Sequence, residues 1–251
     1  MKKAAYLAAT FSGVIVLWSL VALQMNNTLL LPRPMDVGIS ALILWQSGDL
    51  QTHVLASLQR LLVGLAIGVP VGSLLGCLMG LSRSIDAIFN PYLRAFNAIP
   101  ALALVPLSLL LLGVTEASRY SLLVYTITLV VTINARNGVH LIPQLRLRVG
   151  ATLGLSDTAT LFRIIIPSCF PSILTGIRTA IGLGVMVIVA AEMMGAESGL
   201  GFLIMQARSH FSMTNVLVGV LGLGFLSLAL DRAFVLAVDW FFPRWSLKRR
   251  V

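Results

Sequence analysis

Long apolar runs alternate with short polar interruptions along most of this chain, and Leu61–Leu81 and Gly182–Met194 are the clearest of these runs. Barrel strands alternate apolar and polar positions over about 10 residues. An unbroken apolar run must instead satisfy its own backbone hydrogen bonds, so helices are expected. A membrane-spanning helix takes roughly 20 mainly apolar residues, which leaves room for about six spans. The pattern places them near Ala4–Leu23, Val54–Leu81, Ala95–Gly113, Tyr120–Ala135, Ile173–Met194 and Val216–Val238. The expected fold class is therefore all-α, a polytopic membrane protein.

The interruptions predict the connections. Residues 26–53 are more polar and contain Leu31–Pro34. Arg83 and Asp86 read as a loop, and Glu116 with Arg119 as a short turn. "GAESGLGF" (Gly195–Phe202) reads as a glycine loop before a short helix ending near Arg208. Pro100 and Pro106 fall inside the third span, where proline kinks a helix and frees carbonyls. Each is either a bending element or a tolerated kink. Gly64, Gly68, Gly72, Gly76 and Gly80 recur every fourth residue. That spacing puts a smooth stripe on one helix face, where a second backbone can approach closely. Plain helix packing is the simpler reading, and a sliding surface is the functional one. Gly176, Gly182 and Gly184 lie in the fifth span.

One polar segment has a pattern of its own: "GATLGLSDTATLFRIIIP", residues 150–167. Pro143 suits the first turn of a helix running through "QLRLRVGATL". Gly154 suits the left-handed position just past that helix. Ser156 or Asp157 can cap a second, short helix from Ala159 to about Ile165. Leu161, Phe162 and Ile165 would share its apolar face, and Pro167 would end it. Such a helix either lies on lipid or packs into a groove on a soluble partner.

Composition supports the membrane reading. Hydrophobic residues make up 58% and charged residues 11%, where a soluble domain carries about 25% charged. The net charge of +9 does not indicate nucleic acid, because no basic stretch is interleaved with aromatics. It reports orientation. With the N-terminus inside, one face carries Lys2, Lys3, Arg83, Arg94, Arg136, Arg146, Arg148, Arg163, Arg178, Arg232, Arg244, Lys248, Arg249 and Arg250; the other carries Arg33, Arg60, Arg119 and Arg208. An N-in, C-in topology is expected, with the 150–167 segment cytoplasmic. The start at Lys2-Lys3 also fits a signal peptide. Its apolar stretch is longer than a typical signal core and no A-x-A site follows, so a retained first span is expected.

Candidate chemistry is sparse. His53, His140 and His210 share no ligand spacing, Cys77 and Cys169 suggest neither a metal site nor a disulfide, and no catalytic set is visible. The three lysines, Lys2, Lys3 and Lys248, stand in no G-x-x-x-x-G-K-[ST] setting, so the chain is no P-loop ATPase. Glu192 in "VAAEMMG" is ionisable at membrane depth, which marks a functional candidate; the alternative is interfacial placement or pairing with Arg60 or Arg208. Arg60 either attracts an anion or snorkels. Met193, Met194 and Met205 read as packing residues. Asp231 and Arg232 are adjacent, share no helix face, and are expected to pair with neighbouring spans.

Gly154, Ile164, Ile166 and Pro167 closely match the pattern G-x9-I-x-L-P, with Ile166 in place of leucine. The segment resembles the cytoplasmic loop of binding-protein-dependent ABC transporter permeases. "LPRP", "SLQRLLVGLAIGVPVGSLLGCLMGLSR" (Ser57–Arg83), "NAIPALALVPL" (Asn97–Leu107) and "TGIRTAIGLGVMVIVAAEMMGAESGLGFLI" (Thr175–Ile204) extend the likeness over roughly residues 30 to 240. They resemble the sulfonate, taurine and nitrate branch, with "AAEM" (Ala190–Met193) among its marks. There is one departure. The family loop usually begins Glu-Ala-Ala, and here those positions are Arg148, Val149 and Gly150. Charge is reversed there, so either a matching partner would carry a compensating acidic residue, or the loop is degenerate and coupling is weak.

The resemblance implies a type I ABC permease fold and a transport subunit rather than an enzyme, in a bacterial inner membrane. It divides the chain into a first helix and external segment (1–53), a permease core (54–245) with a coupling loop (136–172), and a basic cytoplasmic tail (246–251). It implies a second permease copy, a dimer of ABC ATPase subunits and a periplasmic or lipid-anchored solute-binding protein. ATP and Mg would be used by the ATPase partner, with no cofactor or metal on this chain. Gly154, Leu155, Ser156, Asp157, Leu161, Phe162, Ile164 and Pro167 would form the ATPase contact. Glu192, Pro100 and Pro106 are weaker candidates for the solute pathway or a gate. The solute would be a small anion such as a sulfonate, taurine or nitrate. The alternative is a secondary carrier or channel not driven by ATP, which would need ionisable groups at the midplane of several spans and repeated halves.

Overall fold

The computed structural model describes residues 2–25, 27 and 30–243. The basic tail expected at 246–251, with Arg244 before it, lies outside the described residues, as do the side chains of Lys2 and Lys3. All regular structure among the described residues is helical: α1 (Lys2–Met25), α2 (Pro34–Gln46), α3 (Asp49–Leu81), α4 (Arg83–Ala98), a 3-10 turn (Ala101–Leu104), α5 (Val105–Leu112), α6 (Glu116–His140), α7 (Gln144–Thr152), α8 (Asp157–Thr160), a π turn (Leu161–Ile165), α9 (Ile166–Met193), α10 (Leu200–Ser209) and α11 (Met213–Phe241). Four helical stretches among them are long and apolar enough to cross a membrane: Asp49–Leu81, Glu116–His140, Asp157–Met193 and Met213–Phe241. The bent pair α4 and 101–112 makes a fifth, and the apolar part of α1, Ala9–Met25, is shorter.

The centre is a three-helix packing of α3, α6 and α9, sealed by Leu61, Leu123, Ile127, Val131, Ala135, Ala180 and Ile188. Lipid tails are as apolar as these side chains, so close contact rather than escape from water must hold such helices together. Each atom pair contributes only about 0.1–0.2 kcal/mol, and density decides. The glycine stripe supplies it. A Cβ on Gly72 would stand 2.7 Å from the Thr128 carbonyl oxygen, and one on Gly68 2.7 Å from Ile127 Cγ2. Gly64, Gly76 and Gly80 press likewise on Leu123, on the Thr132 carbonyl and on Val139. The stripe is therefore a packing surface against α6. Gly138 and Gly176 repeat the device between α6 and α9, against Ser172 and Asn134.

Several expected boundaries move. Residues 26–53 hold α2 and the start of α3 rather than a polar connection alone. Arg83 and Asp86 open α4 instead of forming a loop, because Ser82 caps that helix by accepting the Ile85 N–H at 3.4 Å. Glu116 and Arg119 belong to the first turn of α6. The third span is not one kinked helix. Its axis turns by 82° between α4 and 101–112, since Pro100 steers Ile99 into extended backbone (ψ 116). Pro106 makes no kink; it sits in the first turn of α5, where its missing N–H costs nothing.

Pro167 does not stop its helix either. It occupies the first turn of α9, and helix continues from Asp157 to Met193. A proline ring crowds the carbonyl four residues back and offers it no N–H. The π turn just before it widens the helix, and the Ile166 N–H bonds five residues back to the Leu161 carbonyl.

Candidate functional site

Two polar constructions stand at opposite ends of α9. The first is the 141–167 segment. Pro143 takes an N-cap conformation (φ −60, ψ 131) and leads α7. At the end of α7 the Gly154 N–H bonds to the Ala151 carbonyl at 3.0 Å and the Leu155 N–H to the Gly150 carbonyl at 3.1 Å. This is a Schellman closure. Gly154 has φ +66 and open space around a would-be Cβ, so the glycine is required by conformation and not by crowding. Ser156 then caps α8, its Oγ accepting the Ala159 N–H at 3.3 Å.

The departure at 148–150 has a packing counterpart. Gly150 is buried under Ile164, whose Cδ1 would lie 2.7 Å from any added Cβ. Arg148 and Val149 are exposed. The expected apolar face of the short helix is divided: Ile165 packs on the core, Leu161 is half-buried, and Phe162 is 63% exposed. Leu145 and Val149 of α7 and Leu153 at its C-cap are likewise exposed. The segment presents apolar side chains among the exposed Arg146, Arg148 and Arg163, while its inner side is anchored to the bundle.

The second construction surrounds Glu192, which is fully buried. Its carboxylate accepts from Ser57 Oγ (2.8 Å), Arg60 Nη1 (2.8 Å) and the Gly201 N–H (2.9 Å). Arg60, 4% exposed, does not snorkel. It forks onto Glu116 through Nε (2.8 Å) and Nη2 (2.7 Å) and donates to the Ser198 carbonyl at 2.7 Å. Arg119 adds Nη1 to Glu116 at 2.8 Å and Nη2 to the Gly195 carbonyl at 2.5 Å. Two arginines face two glutamates: Arg60, Arg119 and Glu192 are buried, and Glu116, 46% exposed, brings the second negative charge from the surface. The Leu200 N–H donates to Ser57 Oγ at 2.9 Å and the Gly199 N–H to His53 Nδ1 at 3.2 Å. The first-turn N–H groups of α10 thereby find acceptors, with a carboxylate at the positive end of its dipole. Gly199, at φ +121, leaves no room for a Cβ beside the Glu192 carboxylate.

The candidate residues thus fall in separate places. Gly154 to Pro167 share one surface segment, Glu192 belongs to the ion cluster at the far end of α9, and Pro100 and Pro106 bracket the bent element. Arg208 does not pair with Glu192; its Nη1 lies 3.9 Å from Met205 Sδ. Met193 packs on the core, whereas Met194 and Met205 are 49% and 38% exposed. Ser57, His53 and Glu116 were not singled out as partners of this cluster; the signal was that a charge in an apolar run requires an opposite one. Asp231 pairs with Arg178 across α11 and α9.

The helices long and apolar enough to cross a membrane define the class, a polytopic α-helical membrane protein. The chain belongs to the family described as binding-protein-dependent transport system inner membrane component, whose model matches residues 68–247. Among its relatives, the taurine transport system permease protein TauC of Escherichia coli strain K12 is 32% identical over 86% of this chain and 80% of its own length. The putative aliphatic sulfonates transport permease protein SsuC of the same strain is 34% identical, covering 82% and 78%. The bicarbonate transport system permease protein CmpB of Synechococcus elongatus is 31% identical, covering 84% and 72%. A solved amino acid ABC transporter has a similar fold, with TM-score 0.62 at 17% identity over 80% of this chain and 96% of that one. The chain is a multi-pass inner-membrane transport subunit and not an enzyme.

Proposed function

We propose that this chain is the membrane subunit of an ATP-driven importer for a small anion, and that residues 150–167 are its contact with a separate ATPase. Relatives named for taurine, aliphatic sulfonates and bicarbonate support the solute class. They favour this reading over a carrier or channel not driven by ATP. Two copies of the permease would meet two ATPase subunits on the cytoplasmic side, in an N-in, C-in arrangement, and a solute-binding protein outside. ATP and Mg belong to the ATPase; this chain supplies no phosphate loop.

One observation carries the coupling assignment: the exposed Phe162 stands on a turn that runs without a break into α9. A push on α8 is transmitted along a continuous helix whose other end is gripped by the Glu192 cluster. The exposed arginines beside Phe162 suit a groove with acidic residues, which answers the missing glutamate at position 148.

The test is co-purification with an ATPase subunit followed by uptake in proteoliposomes containing the binding protein. Phe162→Asp should leave insertion and thermal stability unchanged and lower coupled ATP hydrolysis roughly tenfold or more, as losing a buried aromatic anchor does at other interfaces. Leu161→Asp is the parallel variant. Normal uptake with both would remove the coupling assignment, and uptake without ATP would remove the ABC importer reading.

A further inference from the structure

Arg178 and Asp231 form an ion pair between α9 and α11, away from the ends of both helices, rather than at a connection on the inner face as the charge count placed Arg178. Arg178 Nε and Nη2 donate to the two Asp231 oxygens at 2.5 and 2.8 Å. Asp231 lies ten residues from the end of α11 at Phe241, roughly 15 Å along the axis. The pair is not sealed: the Arg178 side chain is 45% exposed and that of Asp231 24%. It borders a cavity of about 410 Å³ that Thr175, Thr179, Gly182 and Ser227 also line. Gly182 does not serve helix packing, because a Cβ there would meet open space.

An ion pair on two helices of this apolar character is costly against hydrocarbon, so its open side is read as facing water. Ionised side chains in spans face the bundle interior or a water-filled cavity and mark solute paths. The threonine hydroxyls bond back to their own helix and would tolerate lipid; the ion pair would not. We infer that Arg178 and Asp231 form a solute subsite for a small zwitterion, an oxyanion joined by a short chain to an ammonium group; this rests on the importer reading above. The guanidinium fork matches two oxygens of a sulfonate or carboxylate. A plain anion at Arg178 would strip Asp231 of its partner. A zwitterion exchanges one ion pair for two and leaves both side chains paired. Arg232 adds positive charge next to Asp231 in sequence but points to another helix face.

The test uses the full permease with Cys77→Ser and Cys169→Ala, and Thr179→Cys as reporter. The anionic thiol reagent sulfonatoethyl methanethiosulfonate should label Thr179→Cys. Arg178→Gln should slow labelling roughly tenfold, while Arg178→Lys, which keeps the charge, should slow it less, in line with the reach of hydrogen bonds to charged groups. Taurine should protect the cysteine, and ethanesulfonate, the same skeleton without the amine, should protect poorly. Asp231→Asn should erase that difference. No labelling, or labelling indifferent to Arg178→Gln, overturns the subsite; equal protection by both solutes overturns its zwitterion chemistry. Uptake of taurine in proteoliposomes without protection removes the subsite and leaves the importer reading standing. Protection without uptake of any sulfonate does the reverse.

Discussion

The two ends of α9 are held by different physics. At Met193 the helix is fixed by buried charges shared with α3, α6 and α10. At Ile166 it is fixed by backbone turns, a glycine, a serine cap and a few apolar contacts, with Phe162 exposed. Breaking a buried ion pair costs about 3–5 kcal/mol, because the surviving charge stays buried. Losing an N-cap costs about 1 kcal/mol. One end is therefore held more firmly than the other, which suits the proposed coupling role of the looser one.

That contrast can be tested in descending order of effect. Glu192→Ala should be the most damaging change, with a loss of about 3–5 kcal/mol, because it takes from Arg60 its fully buried counter-charge and leaves the Ser57 hydroxyl and the Gly201 N–H without their acceptor. Thermal unfolding in detergent would show it; an unchanged midpoint would mean that the cluster does not hold this end. Gly72→Val, in the packing that links the ends, should cost about 1–3 kcal/mol through overpacking, read as a lower melting temperature and altered α3–α6 cross-linking. Gly154→Ala should cost only about 1–2 kcal/mol, from the left-handed backbone alone. Its larger consequence should appear as reduced coupling between ATP hydrolysis and uptake. Equal effects on stability from Glu192→Ala and Gly154→Ala would abolish the proposed division.

What the chain disclosed in advance follows the same division. The loop was legible because its devices are local: Gly154, Ser156 and Pro143 act on neighbours within five residues. The glycine stripe was legible because a four-residue period needs only one helix. The ion cluster was not, because Ser57, Glu116 and Glu192 meet only once three helices are packed. The prolines were legible only in part: Pro100 does mark a bend, whereas Pro106 makes no kink and Pro167 ends no helix. Pro100, Pro106 and Pro167 all lack an N–H, but its effect depends on position: Pro100 ends up after an extended residue, Pro106 in a first turn, and Pro167 behind a widened turn. Sequence supplied the defect and tertiary context decided how it was absorbed.

The π turn at Leu161–Ile165 also sets an angle. Each residue of an α-helix advances the face by about 100°, so the extra residue in the widened turn determines which way Phe162 looks relative to the rest of α9. Remove one residue here and the helix can still form and still reach across the membrane, yet its contact face would swing round the axis and miss what it should meet. Segment length, as much as residue identity, is the aiming device.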